Sequence, residues 1–564
     1  MGYVETLLEH PMTTQSLADV QGPFDVLVVG GGITGAGVAR DAARRGLRVL
    51  LVEQSDLASG TSSRSSKLVH GGLRYLEQGE LSLVFEAVAE RRILLDIAPH
   101  LVRPMPFLLP VFSDSRRGMF TINIGMWLYD GLSLFRSPKL HKSLSQKRVR
   151  AAEPELRHDG LKGAQVYYDC ATDDARLTLE TVLDAVRHGA TVLTHTRVER
   201  WVTEGGRVMG CALKDQLTGE ETEVSASVAV NATGPWSDTV RGQGAAVSDP
   251  RMRPTKGVHI VVNASRLKLS HAVCCMHPDD GRVFFTIPWG DQTYIGTTDT
   301  DFEGDPSDVY ADLSDVDYLL KATNDYFPGC GITHEDVVST WAGVRPLVSD
   351  EQAENESAVS REHSLVCEPN GVVTIAGGKL TTYRKMAEEV VDLVVSELRD
   401  KDAHMEDLPS PETEIDPLPG AVGWPERGGK KQIISAVQDF SEGLITKATA
   451  KHLVAVLGMR AIDLAERVAA DEGAAAPLVQ GRPEILGQVD WAVSVELART
   501  VTDVMMRRTQ LYYRDADQGL GAVQVVADRM AKHLGWSEDE AAAQAAAYRE
   551  EVERSRRWRN ELTD

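Results

Sequence analysis

The sequence predicts an α/β fold, a β-rich middle and a helical tail, and three observations carry that expectation. Phe24–Val29 is a short apolar run followed by the glycine turn of residues 30–32, a helix-compatible stretch and a second apolar run, Val49–Val52. That order reads as strand, turn, helix, strand. Segments with strand character recur through residues 164–300. Beyond residue 425 the chain is alanine-rich and strand-poor, with helical spacing such as Leu453, Val456, Leu457 and Ala461.

In chain order, residues 1–23 are an N-terminal extension without an assignable element. Residues 54–80 are polar and serine-rich, an irregular segment, and a helix follows through Val84, Val88, Ile93 and Leu94. Strands are expected over 191–198, 207–214 and 221–230, with a turn at 217–220 between the last two. A second β-rich stretch spans 257–300, with a hairpin turn at Trp289-Gly290-Asp291. Val372–Ala376, the glycine pair 377–378 and an amphipathic run through Met386, Val390, Leu393, Val394 and Leu398 repeat the strand, turn, helix order. Residues 399–425, acidic and carrying Pro409, Pro411, Pro417 and Pro419, read as a linker, and 426–564 as a C-terminal helical domain.

Composition narrows the function classes. Apolar residues at 42% and charged residues at 25% suit a globular protein with sizeable cores. A formal net charge of −23 disfavours nucleic acid as a partner, because phosphate backbones call for concentrated Lys and Arg. Cys170, Cys211, Cys274, Cys275, Cys330 and Cys367 form no C-x-x-C pair, so no zinc or iron–sulfur site is expected and a reducing cytosol is the simplest setting. Met1–Asp25 does not read as a signal peptide, and no run approaches the roughly 20 apolar residues that cross a bilayer.

The first turn is chemically specific. Gly30, Gly32 and Gly35 are spaced as G-x-G-x-x-G directly after a strand. The first glycine permits a tight turn, the second lets backbone approach a pyrophosphate, and the third lets helix and strand pack closely. The helix N-terminus offers N–H groups to phosphate, and Glu53, ending the next strand, is placed to accept from ribose hydroxyls. A dinucleotide is therefore expected. The small-residue strand end over 228–234 and the second glycine turn over 375–382 favour FAD over NAD.

Longer motifs then become specific. Residues 65–76 (SSKLVHGGLRYL), 173–177 (DDARL), 231–236 (NATGPW), 256–262 (KGVHIVV), 295–299 (IGTTD), 343–347 (GVRPL) and 377–384 (GGKLTTYR) resemble, in order, the FAD-dependent glycerol-3-phosphate dehydrogenases of the quinone-linked, aerobic type. The resemblance runs from about residue 24 to 398 and more loosely into the tail at Met505–Thr509. It implies a Rossmann-like FAD-binding domain of D-amino-acid-oxidase type (about 24–110, 164–250 and 340–398) interleaved with an antiparallel-sheet substrate domain (about 111–163 and 251–339). It implies oxidation of sn-glycerol 3-phosphate to dihydroxyacetone phosphate, electrons passing through FAD to a membrane quinone, with the protein on the inner face of the cell membrane. A homodimer is compatible with it. Cofactor contacts implied are Ser65, Ser66, Lys67, Leu68, His70, Gly71, Gly72, Val198, Ala232, Gly234, Gly378, Lys379, Leu380 and Thr381, beside Gly30, Gly32, Gly35 and Glu53.

A dianionic substrate calls for clustered cations, and Arg suits bidentate phosphate contact. The resemblance implies that Arg74, Arg345 and Lys379 occupy motif positions facing the substrate, with Arg361 in a shorter pattern and Tyr75 as a further hydrogen-bond donor. His259 is the first candidate for the base that takes the hydroxyl proton; Arg345 is the rival, through stabilising the developing alkoxide. The apolar stretch 119–129 precedes residues 135–150, which carry six Lys/Arg and no acid. That pairing suits peripheral membrane binding, and a buried helix with a solvated loop is its alternative. Three other readings compete: an oxygen-using glycerophosphate oxidase, for which no large extra insertion is seen; a subunit feeding an iron–sulfur partner, for which no cysteine-rich tail is seen; and a non-catalytic flavin-binding protein.

Overall fold

The computed structural model describes residues 17–20, 22–72, 80–133, 138–243, 251–348, 363–399, 408–425 and 428–562. Among these, two sheets organise the molecule. In the first, Phe24–Val29 lies between Val49–Val52 and Glu221–Asn231, all parallel. Thr191–Leu193 extends one side and Val373–Gly377 the other, again parallel, and His363–Cys367 closes the edge antiparallel. Every residue of Phe24–Val29 and Val49–Val52 is buried, as expected of continuous apolar runs covered on both faces. Helices Ile33–Arg44, Asp174–Arg187 and Tyr383–Arg399 cover one face, where Val26, Val28, Val38, Leu179 and Val390 share a core. The antiparallel strands Thr196–Glu204 and Arg207–Asp215 cover the other with Trp201, Val208 and Leu213.

The second sheet is mostly antiparallel. At its centre Met252–Asn263 pairs with Gln292–Gly296 on one side and Val337–Val348 on the other. The sheet continues through Val283–Trp289, Ala272–Met276, Arg103–Phe112 and Leu161–Ala171 to Leu68–Val69. Strand alternation sorts its residues between two faces. Val258, Ile260, Val262, Ala342 and Val344 join the core beneath helix Leu313–Tyr326. Thr255, Gly257 and His259, with Trp341, Gly343 and Arg345 opposite, take the other face.

Several boundaries differ from the sequence reading. The expected strand over 191–198 is two, Thr191–Leu193 and Thr196–Glu204, because His195 at φ +52 breaks the run. The serine-rich segment holds the short helix Thr61–Ser63 and strand Leu68–Val69. Arg103–Phe112, Leu161–Ala171 and Val337–Val348 belong to the second sheet, although most of their residues fall in spans assigned to the dinucleotide domain. Backbone pairing decided this, and pairing partners are not encoded in local periodicity.

The described part of the expected linker, 408–425, is docked rather than solvated. Leu418 is fully buried, the amide of Gly420 donates to Glu180 at 2.7 Å, and Arg40 donates to the carbonyl of Thr413 at 3.0 Å. Prolines there stiffen a docked segment. The tail is helical as expected, and it shares a core with the second sheet: Met505, Tyr512 and Tyr513 pack with Trp341 and Tyr294. Buried ion pairs pin it further. Glu496 accepts two 2.7 Å bonds from Arg176, and Arg507 and Arg508 both pair with Asp56, beside the first glycine turn.

Candidate active site

The two sheets enclose a cavity of about 980 Å³, at the upper end of the roughly 300–1,000 Å³ usual for ligand sites. One end is built by the first glycine turn. Gly30 adopts φ +109, which a side chain would strain. A Cβ on Gly35 would overlap the carbonyl oxygen of Gly30, so this glycine lies under the turn and not in the cavity wall. Gly32 and Ile33 open the helix onto the cavity, and the amide of Ile33 donates to Ser62 Oγ at 2.9 Å. Glu53 accepts from the amides of Gly31 at 2.7 Å and Ser55 at 2.9 Å. Burial pushes its carboxyl above the ordinary glutamate range, and those two amide bonds oppose the rise.

Val198, Ala232 and Gly234 line the same end. The serine-rich segment supplies the middle of the wall with Ser65, Ser66, Leu68 and His70, and the second glycine turn supplies Gly378, Lys379, Leu380 and Thr381. Thr381 ties the two segments together: its hydroxyl accepts from the His70 amide at 3.1 Å and donates to the His70 carbonyl at 3.3 Å.

His259 and Arg345 line the far end. The His259 ring stacks on Trp341, its cross-strand neighbour, at 4.7 Å and 12°. A Cβ on Gly296, its neighbour on the other side, would sit 2.6 Å from the ring's Cγ. The imidazole is thus held on two flanks. Ser66 Oγ lies 2.9 Å from Nε2. Burial first, then the charges of Arg345 and Lys67, holds the imidazole well below the usual histidine range, so it is neutral near pH 7. Arg345 donates to Asp299 at 2.8 Å, to Thr297 Oγ1 at 3.0 Å and to the Thr298 carbonyl at 2.9 Å.

Besides Gly35, three of the implied cofactor residues stand elsewhere. Lys67 is 2% exposed, and its amine meets Asp174 at 2.7 Å and the Ser63 carbonyl at 3.0 Å. Its charge is neutralised behind the wall. Gly71 donates to Asp169 at 3.0 Å, and a Cβ there would overlap the Tyr129 hydroxyl, while Gly72 turns the chain at φ +73; neither lines the cavity. Arg74, Tyr75 and Arg361 lie outside the described residues. Residue-level reasoning missed Ser62, Trp236 and the Arg345 anchors Thr297 and Asp299. The last two sat in the motif 295–299, whose role nothing in the local pattern disclosed.

The residues present fit a flavin dinucleotide. Two glycine turns, an uncluttered helix start and a carboxylate lie at one end, and polar groups suited to an alcohol substrate lie at the other. Residues 25–384 match the FAD-dependent oxidoreductase family, and 411–541 match the C-terminal domain of α-glycerophosphate oxidase. The chain is 38% identical over 521 residues to the aerobic glycerol-3-phosphate dehydrogenase of Bacillus subtilis, covering 91% of this chain and 92% of that one.

The chain belongs to the FAD-dependent oxidoreductase family.

Within that family it is also 37% identical, over 92% of each chain, to the aerobic glycerol-3-phosphate dehydrogenase of Staphylococcus haemolyticus. Its fold resembles the glycerol-3-phosphate dehydrogenase of Bacillus halodurans complexed with FAD, with a TM-score of 0.79, 33% identity and 95% of each chain covered. The L-α-glycerophosphate oxidase of Mycoplasma pneumoniae, at 18% identity and a TM-score of 0.52, covers 66% of this chain and 95% of its own, a likeness of fold.

Proposed function

We propose that this chain oxidises sn-glycerol 3-phosphate to dihydroxyacetone phosphate with FAD held in the cavity, and passes the electrons to a membrane quinone. The carrying observation is that a single cavity joins the glycine turns to a neutral, buried His259 and an anchored Arg345. FAD bound there supplies the two-electron acceptor for the hydrogen on C2. Gly30, Gly32, Glu53, Ala232, Gly378 and Thr381 would hold it. Arg345 stabilises negative charge on the substrate oxygen, and His259 is the acceptor for the hydroxyl proton. Lys379, at the start of the short helix Leu380–Thr382, adds positive charge to the same wall.

Quinone use calls for contact with a membrane surface. No helix among the described residues is long and apolar enough to cross a membrane. Helix Met119–Leu132 turns apolar side chains outward: Phe120 is 80% exposed, and Ile124 and Trp127 are each 54%. Exposed Arg116 and Arg117 precede it, and exposed Lys139, Lys142, Lys147 and Arg148 follow. An outward apolar face flanked by cations supports peripheral docking on an anionic leaflet over the buried-helix alternative. The inner, anionic face of the cell membrane is the expected location.

The test is anaerobic addition of sn-glycerol 3-phosphate to the purified yellow protein. Flavin absorbance should bleach and recover on adding a quinone. A protein that stays colourless when offered FAD would overturn the reading. The match of residues 411–541 to an oxidase domain favours oxygen as the second acceptor to examine; hydrogen peroxide release matched to substrate consumption would establish it.

A further inference from the structure

The His259 ring has little direct access to the cavity it serves. The residue is 3% exposed, and Nδ1 is buried with no hydrogen-bond partner among the described residues. Among the described residues the one hydrogen-bond partner of the ring is Ser66 Oγ, 2.9 Å from Nε2. Ser66 is partly exposed and lines the cavity. The pair is also tightly framed. Trp341 stacks on the imidazole and donates from Nε1 to the Ser65 carbonyl at 3.2 Å. Tyr294, 6.2 Å from the ring, donates to the Ser66 carbonyl at 2.9 Å. The aromatic residues that fix the imidazole therefore fix the serine as well, and Gly296, lacking a side chain, gives the ring the space it fills on the other flank.

We propose that Ser66 relays the proton from the substrate hydroxyl to His259. The inference rests on the alcohol-oxidation reading of the site. In the step, the substrate O–H bond breaks as a new O–H bond forms on Ser66 Oγ. The original Ser66 proton moves to Nε2 of His259, so one proton is transferred net and no electrons accompany it. The C2 hydrogen would leave separately with its bonding electron pair, as hydride, to bound FAD. A hydroxyl suits this task because it donates and accepts through one atom. Nδ1 lacks a partner among the described residues in either tautomer, and the Ser66 hydroxyl can donate to a bare Nε2 or accept from a protonated one. The relay requires a bare Nε2 accepting from Ser66, with the hydrogen on Nδ1.

Two measurements test this on the oxidised holoenzyme and its variants. In ¹⁵N-histidine NMR, with His259 assigned by its loss in His259→Gln, Nε2 should show the shift of a hydrogen-bonded acceptor, and Ser66→Ala should abolish that bond. Flavin reduction by sn-glycerol 3-phosphate in H2O/D2O mixtures should give a curved proton inventory, the mark of two protons in flight. Ser66→Ala should slow that reduction about 100-fold, the lower range for losing a proton-transfer group, and leave a linear inventory or none. Ser66→Thr, which keeps the hydroxyl, should recover the rate to within about tenfold and the curvature with it. A protonated Nε2 in the resting protein overturns the relay, as does a Ser66→Ala rate within about threefold of the parent. If glycerol 3-phosphate fails to bleach the parent flavin, the oxidation reading fails, and the NMR measurement still decides the Ser66 contact.

Discussion

The guanidinium of Arg345 occupies the space that a side chain on Gly257 would need: a Cβ at residue 257 would lie 2.7 Å from Arg345 Cζ and 2.8 Å from Thr297 Oγ1. Gly257 and Arg345 lie on neighbouring strands of the second sheet, with Thr255 directly opposite Arg345. The missing side chain is what lets the cation lie flat against the strand and reach Asp299.

Gly257→Ala should therefore act as an Arg345 mutation at one remove. We expect flavin still to bind, because the glycine turns are untouched. The rate of flavin reduction should fall by about 100-fold, the cost of displacing a positioned group by roughly 1 Å. Stopped-flow bleaching measures it, and a rate within threefold of the parent would show that Arg345 is not held this way.

His259 sets a pH dependence. Its imidazole is held well below the ordinary value of 6.5, by burial first and by Arg345 and Lys67 next. A base must be unprotonated, so kcat/KM should stay level as pH falls through 6.5 and decline only well below it. Arg345→Gln, removing one of those charges, should move the acid limb upward. The same depression has a stability consequence. Below 6.5 the unfolded chain binds a proton that the folded chain refuses, so stability falls as pH falls. His452, held down to about 4, and His100 contribute with the same sign.

Gly35→Ala should abolish yellow, folded protein altogether. The new Cβ would collide with the backbone carbonyl of Gly30, and no flexible side chain is there to yield. The expected result is loss of soluble holoprotein, read by flavin absorbance and thermal unfolding. An Ala variant that retains FAD would show that helix and turn can separate at small cost.

Glu496 clamps the tail to helix Asp174–Arg187. It accepts from Arg176 twice at 2.7 Å, from Arg460 at 2.9 Å and from Trp491 at 2.9 Å. Burial opposes its ionisation, yet Arg176 and Arg460 pull its carboxyl down to about 2. Glu496→Ala leaves those arginines buried without their acid and should cost about 3–5 kcal/mol. The clamp's contribution should be complete above pH 4.5 and be lost as pH falls toward 2. Urea unfolding at several pH values checks both statements.

Helix Met119–Leu132 should carry membrane binding. Phe120→Glu with Trp127→Glu should abolish sedimentation with vesicles containing anionic lipid and leave dye-linked oxidation of glycerol 3-phosphate intact. Equal binding by parent and variant would move the docking surface elsewhere.

Local pattern made much of the machinery legible in advance. Gly30, Gly32 and Gly35 announced themselves because a tight turn, a close backbone approach and a close packing contact each exclude a side chain. The strand at Phe24–Val29 showed itself as an unbroken apolar run because it is covered on both faces. His259 stood out through its motif, and the apolar stretch before the basic one marked helix Met119–Leu132, but which way that helix faces depends on what it packs against.

The sequence by itself determined the local elements, the dinucleotide fingerprint and the family, since these are written in spacings of a few residues. Tertiary structure alone decided that Lys67 turns away to Asp174, that 408–425 is docked, that Arg103–Phe112 joins the second sheet and that Ser66 meets His259. The reason is physical. A turn or a helix start depends on neighbours in the chain, whereas a buried ion pair or a cross-strand stack depends on partners as much as 452 residues away, as between Asp56 and Arg508.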